Sequence, residues 1–405
     1  MSVKIVNIFL HHQAQKRYVG KLAYKDRKIY FEYDDEFLTS GIELSPYKLP
    51  LKKGLYTCDD TLFEGLYGLF ADSLPDGWGK LLLDRHLMSK GMKFSEITPL
   101  DRLSYIGHYG TGALSYEPIY DAIEAHNYPI NLDTLADSSL EILKGSSGAF
   151  LETLLHLGGS SSGARPKVML QINEANGIID SNKSLESGYE HYLVKFPSST
   201  DMQDIGKVEY IYSRMAHDAK IDMPHTKLIP GKSNSYFAVK RFDRKEDHRV
   251  HVHSVAGLVH SDFRLPCLDY DDLLALTLHL TKDIHEQLKM FRLACFNLFS
   301  HNRDDHAKNF SFLLDTHNQW KLSPAYDLTF SYGPGGEHST TYLGEGKSPT
   351  SEHLKKLARK HGIKDADKII CEIKNVVKNF SYYAQQLSFN KNTQKSIESN
   401  LKEIQ

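Results

Sequence analysis

At 405 residues, with 40% hydrophobic and 25% charged side chains, the chain can bury more than one core and has the composition of an ordinary globular protein. A formal net charge of −2, with neither half conspicuously basic, argues against an autonomous nucleic-acid binder. No apolar run approaches the ~20 residues that span a bilayer, and the short Ile5–Leu10 run, broken by Asn7, is no signal peptide. Cys58, Cys267, Cys295 and Cys371 form no C-x-x-C pair; they read as reduced thiols of a cytoplasmic protein, although spacing alone leaves a bridge open.

The first ~50 residues alternate like half-buried strands, in Ile5–Leu10 and Lys28–Tyr33, and predict a small antiparallel sheet. Leu62, Phe63, Leu66, Leu69 and Phe70 fall at helical spacing up to Asp72, Pro75-Asp76-Gly77 signals a turn, and a second helix resumes from Trp78 to Met88. Glycines in Leu100–Gly112 suggest a loop. Strand signals then return around a helix near Leu135–Lys144, followed by a Gly/Ser-rich loop from Gly158 to Gly163. Lys167–Ile172 and Ile178–Ile179 form a hairpin pattern around Asn176-Gly177. His191–Phe196 and Tyr236–Arg241 read as strands flanking a helix over Val208–Ala219. Beyond ~255 long helical patterns dominate: Tyr270–Thr281, Ile284–Ser300, Ser351–His361 and Asp365–Gln386. The fold class expected is α+β. The organisation is bilobal: a β-rich accessory domain over 1–115, a mixed α/β lobe over 116–254 and a helical lobe over 255–405.

Chemistry concentrates in four places. His301-Asn302-Arg303-Asp304-Asp305-His306-Ala307-Lys308-Asn309 is an acidic, amide-rich loop between a predicted helix and the predicted strand Phe310–Leu314, where reactive groups belong. Its Asp304-x4-Asn309 spacing is that of a phosphoryl-transfer loop, in which the Asp orients a hydroxyl and the Asn holds a metal ion. A plain polar turn with an Asx cap is the alternative. Asp327 follows the short strand Trp320–Leu322 and the bend Pro324-Ala325-Tyr326, and can reach the same ion; hard oxygen donors suit Mg²⁺. It is followed by Leu328-Thr329 rather than a D-F-G glycine, and a turn-initiating Asp is the competing reading. Lys195 lies in the apolar strand Tyr192–Phe196, so it faces a carboxylate or phosphate, unless it blunts an edge strand. Finally, Gly158–Lys167 fits a phosphate cradle: glycines and serines let N–H groups approach oxygens, and Arg165 and Lys167 add charge. It matches neither the P-loop nor G-x-G-x-x-G, and by itself it reads equally as a flexible linker. His251, His253 and His260, like His301 and His306, cluster without Cys or H-E-x-x-H, which argues against structural zinc.

Taken in order, Phe70-Ala71-Asp72-Ser73-Leu74-Pro75-Asp76-Gly77-Trp78-Gly79, Ser162–Lys167, Leu193–Pro197, Arg241-Phe242-Asp243-Arg244, Asn302–Asn309 and Ser323–Asp327 resemble the HipA family of bacterial serine/threonine kinases, toxins of toxin–antitoxin pairs. The resemblance spans nearly the whole chain and implies a protein-kinase-like fold using ATP and Mg²⁺. It makes Asp304 the catalytic base and puts Asn309 and Asp327 on the metal. Lys195 and the loop Ser162, Gly163, Ala164, Arg165, Pro166 and Lys167 would lie on the phosphates. Lys240, Arg241 and Phe242 would meet the adenine largely through backbone, and His306, Lys308 and Tyr326 would also bind the nucleotide. It implies autophosphorylation at Ser160, with Ser161 and Ser162 as alternatives. It also implies a HipB-like DNA-binding antitoxin through which DNA is met only indirectly, and a protein substrate such as an aminoacyl-tRNA synthetase. Two features depart from the pattern: Asp305 stands where better-known members carry Gly, and His253-Ser254-Val255-Ala256 replaces a glutamine-acidic stretch. Both bear on the protein substrate rather than on the ATP machinery. A small-molecule phosphotransferase or a catalytically silent ATP-binding protein would use the same residues.

Overall fold

Alternation at the start of the chain does give strands. In the computed structural model, which describes residues 3–119, 130–146, 150–161, 163–175, 177–180, 184–246 and 248–403, β1 (Ile5–His12) buries Val6, Ile8 and Leu10 on one face. Ser162 and Asn176, singled out above, lie outside the described residues. β2 (Gln15–Lys25) and β3 (Lys28–Tyr33) continue an antiparallel meander. β4 (Leu55–Thr57) and β5 (Leu114–Glu117) complete a five-stranded sheet ordered β4-β3-β2-β1-β5, which therefore runs past the boundary expected at 115.

A second antiparallel sheet comprises β6 (Lys167–Asn173), β7 (Gly177–Asp180), β8 (Glu190–Lys195), β9 (Thr226–Pro230) and β10 (Ser235–Lys240), ordered β7-β6-β8-β10-β9. β8 is its central strand, so Lys195 is not an edge-strand lysine, and Lys167 on β6 stands directly opposite it. A short sheet of His251–Ser254, Ser311–Leu314 and Trp320–Leu322 then carries the loops on either side of Asn309 and Asp327. Helices Tyr270–Thr281, Ile284–Phe299, Ser351–Lys360, Ala366–Lys378 and Phe380–Gln385 build the helical lobe. Among the described residues, no helix is long and apolar enough to cross a membrane.

Two hydrophobic cores result. One runs from the first sheet (Val6, Leu22, Phe31) into the helical lobe (Tyr270, Phe291, Phe296). The other joins Trp78, Leu82 and Leu83 of the helix Gly77–Ser89 to Val168, Tyr192 and Val194 of the second sheet. The N-terminal segment thus contributes to both cores, and Pro75-Asp76 lies between them in sequence.

The histidines that might have suggested a metal dock the N-terminal segment instead. His253 Nδ1 pairs with Asp72 at 2.6 Å while its Nε2 meets Ser45 Oγ at 2.9 Å. His251 Nε2 contacts Leu44 O at 3.1 Å, and His260 Nε2 accepts the Gly68 N–H. Ser254 N–H and Oγ–H also donate to Asp72, so the departing His253-Ser254 pair is an interdomain contact.

Local corrections have local causes. The helix expected up to Asp72 shrinks to Gly68–Ala71, because Glu64 (φ 56) and Gly65 (φ 85) turn the chain left-handed. The loop expected over Leu100–Gly112 begins as the helix Pro99–Ile106, started by a Thr98/Asp101 capping box with Pro99 in its first turn; the glycines all follow it. Leu151–Gly158, not anticipated, is helical up to the start of the Gly/Ser loop. The helix expected over Asp365–Gln386 breaks at Asn379 into two.

Candidate active site

The loop 301–309 leaves the helix Ile284–Phe299 at His301, which adopts left-handed φ 57, and is fixed from below by polar groups. Asn302 Nδ2 donates to Asn297 Oδ1 at 3.0 Å, Asn297 Nδ2 to Tyr270 OH at 2.9 Å, and Tyr270 OH to Asp305 at 2.8 Å. Asp305 is buried and also takes His338 Nδ1 at 2.9 Å and the N–H groups of Ser339 and Thr340. The carboxylate that departs from the family pattern therefore ties the loop to residues 338–340, which are distant in sequence. Apart from Asn302 Oδ1, which has no hydrogen-bond partner among the described residues, the network is paired, and such buried pairing rigidifies the backbone it supports.

Above that base, Asp304 has no close cation among the described residues: its nearest positive candidate there, His306 Nε2, is 3.9 Å away. Burial, together with the neighbouring charges of Asp327 and Asp305 and against the pull of His306, raises its pKa above the ordinary carboxylate range. Asn309 Nδ2 donates to Asp304 O at 2.7 Å, which leaves the amide oxygen as the end able to meet a cation. His306 Nδ1 accepts the Lys308 N–H at 3.3 Å and caps the turn 307–309, so part of the polar-turn reading is also realised.

Asp327 is held in the opposite manner. It sits at φ 56, where a non-glycine residue is strained, in place of the glycine-bearing turn that the sequence lacks. Lys195 Nζ bonds its Oδ1. Burial alone would raise its pKa, but Lys195 and Lys167 pull it far below the usual range. Lys195 in turn donates to Glu209 at 2.6 Å, and burial is outweighed by Asp327 and Glu209, which hold the ammonium charged. Burial lowers Lys167, the cross-strand neighbour, to about 8 despite Asp327.

One cavity of about 570 Å³ receives these groups, a volume within the ~300–1,000 Å³ of small-molecule pockets. Asp304, His306, Lys308, Asn309, Tyr326 and Asp327 line it from the helical lobe. Ser161, Gly163, Ala164, Lys167, Lys195, Lys240, Arg241 and Phe242 line it from the second sheet and its loops. Phe242 and Tyr326 bring their rings to 5.6 Å, an apolar wall for a flat base, and Tyr326 OH is pinned to Lys308 O. Arg241 is committed to Asp243 through Nε and Nη2, and Lys240 pairs with Glu190.

Three expected residues stand apart from the cavity lining. Arg165 braces Asp201 at 2.8 Å and Glu209 at 3.1 Å, one step behind Lys195. Pro166 offers its carbonyl to Phe196 N–H at 2.8 Å. Ser160 Oγ donates to Tyr109 O at 2.9 Å, whereas buried Ser161 bonds Gly158 O at 2.6 Å. Two residues that sequence reasoning missed join the site. Glu209, on the helix Ile205–Asp218, is buried among Val208, Ile211 and Tyr212; an acid on the apolar face of a helix was the available signal. Asp76, noted as a turn residue and as part of the N-terminal signature but given no role, lines the cavity.

Against this geometry, the comparisons with known proteins are direct. The HipA N-terminal domain matches residues 10–117 and the HipA-like C-terminal domain residues 159–380. The chain belongs to the HipA family. The HipA of Shewanella oneidensis, solved with HipB and its operator DNA, superposes with TM-score 0.70 at 17% identity over 98% of this chain and 95% of that one, which establishes the shared fold. A Haemophilus influenzae protein carrying an unproven kinase assignment is 25% identical over 187 residues, 42% of this chain; the chain spans about half, 52%, of that relative's length. The Helicobacter pylori kinase CtkA covers 54% of this chain and 88% of its own at 14% identity, with TM-score 0.39. The bilobal HipA fold expected from sequence is thus the fold observed.

Proposed function

We propose that this HipA-family protein is an ATP- and Mg²⁺-dependent serine/threonine protein kinase, the toxin of a toxin–antitoxin pair. The observation that carries the reading is the convergence of Lys195, Asp304, Asn309 and Asp327 on one cavity, with Glu209 holding Lys195 from behind it. Phosphoryl transfer asks a protein for little else: a lysine held by a helix glutamate, a carboxylate beside the nucleophile and oxygen ligands for the metal. Asn309 and Asp327 are the hard oxygen donors suited to Mg²⁺, which when bound neutralises charge between the phosphates. Asp304, raised in pKa and without a close cation, suits a base that orients and relieves a substrate hydroxyl of its proton. Lys195 and Lys167 suit the phosphates, and Phe242 and Tyr326 the base.

The protein acts in the cytoplasm with a HipB-like DNA-binding antitoxin, as in the Shewanella complex, and meets DNA only through it. Its substrate is a translation-related protein such as an aminoacyl-tRNA synthetase. Autophosphorylation at Ser160, with Ser161 or Ser162 as alternatives, turns it off: a phosphate carries nearly two negative charges and repels ATP. At Ser160 the modification must first break the bond to Tyr109 O. Incubation with labelled Mg-ATP and cell lysate tests the reading. Label on Ser or Thr of protein, lost in Asp304→Ala, is expected; label moving only to metabolites overturns it. Mass spectrometry of residues 158–167 tests the autophosphorylation.

A further inference from the structure

The segment Pro75-Asp76-Gly77-Trp78 is not part of either lobe, yet it enters the cavity. Asp76 occupies the N-cap of the helix Gly77–Ser89, where an Asp side chain ordinarily accepts that helix's own first N–H groups. Here it makes no such bond. One carboxylate oxygen accepts the N–H of Gly163 in the Gly/Ser loop, and the other accepts Lys308 Nζ from the catalytic loop. Both partners are donors of the kind that meets phosphate oxygens. Burial would raise the Asp76 pKa, but Lys308 outweighs it and the carboxylate stays ionised.

The clamp is anchored from behind. The Trp78 side chain is 1% exposed in the second core, and its backbone N–H donates to Gly163 O at 3.0 Å, so the loop residue is gripped at both its amide and its carbonyl. Gly77 holds φ 43, and a Cβ there would lie 2.7 Å from Ala164 Cα, a closeness of approach that only glycine allows. Lys308 packs over Phe263 at 4.2 Å, which limits the directions its ammonium can take.

We propose that Asp76 is a positioning residue for phosphoryl transfer: one carboxylate from the N-terminal segment fixes the Gly163 N–H and the Lys308 ammonium relative to one another across the cavity. This deepens the kinase reading and rests on it for the catalytic consequence, though not for the clamp itself. The bland alternative is a staple that only adds stability. Misplacing reacting groups by about an ångström costs on the order of 10²-fold in rate, so a clamp and a staple differ measurably.

The test uses the full chain with Asp76→Asn, which keeps size and one acceptor but loses the charge, and Lys308→Ala. Hydrogen–deuterium exchange over residues 158–164 should quicken about tenfold in Asp76→Asn, with the melting temperature changed little. In single-turnover transfer from Mg-ATP, the rate should fall about tenfold to a hundredfold while the Mg-ATP dissociation constant moves less than about threefold. Asp76→Asn combined with Lys308→Ala should be no slower than Lys308→Ala alone, the non-additivity of a coupled pair. Unchanged exchange, or rate losses that simply multiply, overturns the proposal. If the wild-type chain transfers no phosphate at all, the kinase reading fails, and exchange alone then decides whether the clamp exists.

Discussion

Asp304 and Asp327 line one cavity from two neighbouring loops, and their environments push them apart. Asp327 is bonded by Lys195 and pulled far below the ordinary carboxylate range; Asp304, whose nearest cationic candidate among the described residues is His306 at 3.9 Å, is pushed above it. The difference teaches how one fold can hold two like groups in opposite charge environments, which is the condition the proposed division into ion ligand and base requires.

The largest expected effect breaks the comparison at the base. Asp304→Asn should lower the transfer rate about 10²–10⁴-fold. Its melting should stay within about 0.5 kcal/mol of wild type, because this side chain is 49% exposed and solvent screens it. Calorimetry beside the kinetic assay reads both.

Asp327→Asn should behave in reverse, removing the Mg²⁺ dependence of ATP binding and also destabilising the fold. The loss is about 2 kcal/mol, below the ~3–5 of a fully buried pair because the Asp327 side chain is 35% exposed. The sign follows from its depressed pKa: this stabilisation is present above the unfolded value of ~3.9 and fades as pH falls through the folded one. Denaturant titrations at pH 7 and near pH 3 should therefore show the gap between variant and wild type narrowing in acid.

Glu209→Gln should cost about tenfold in rate, since Lys195 and Arg165 both lose their anchor, while Mg²⁺ dependence persists. A loss of Mg²⁺ dependence in that variant would erase the distinction between the two ends of the site. The smallest effect concerns pH. Activity should be present above the raised Asp304 pKa and fall as pH drops through it, so the acid limb lies above the ~3.9 of a free Asp. In Asp305→Asn that limb should move to lower pH, because one repelling charge is gone, and only slightly, because Asp305 is a minor cause of the raise.

Residues whose chemistry stands out against their neighbours were legible without coordinates. A lysine in an apolar strand, an Asp-x4-Asn loop and an Asp after a short strand each violate the local pattern, and those violations marked the site. Strands and long helices were legible for the related reason that burial on one face imposes a period of two or about 3.6 residues. The failures fell where a local signal pointed two ways. Glycines after residue 106 masked a capped helix before it, and apolar spacing around Leu66 hid left-handed turns at Glu64 and Gly65. Arg165 was read as a phosphate ligand because its charge was visible, whereas its partners Asp201 and Glu209 were not.

By itself, then, the order of residues determined the family, the bilobal fold and the inventory of reactive groups, because periodicity and short motifs are local properties of a chain. Which groups touch was settled only by tertiary structure. Glu209 behind Lys195, Asp76 between Gly163 and Lys308, and His253 on Asp72 join segments from 14 to 232 residues apart. Such pairings depend on how two cores pack around one cavity, which no local pattern along the sequence reports.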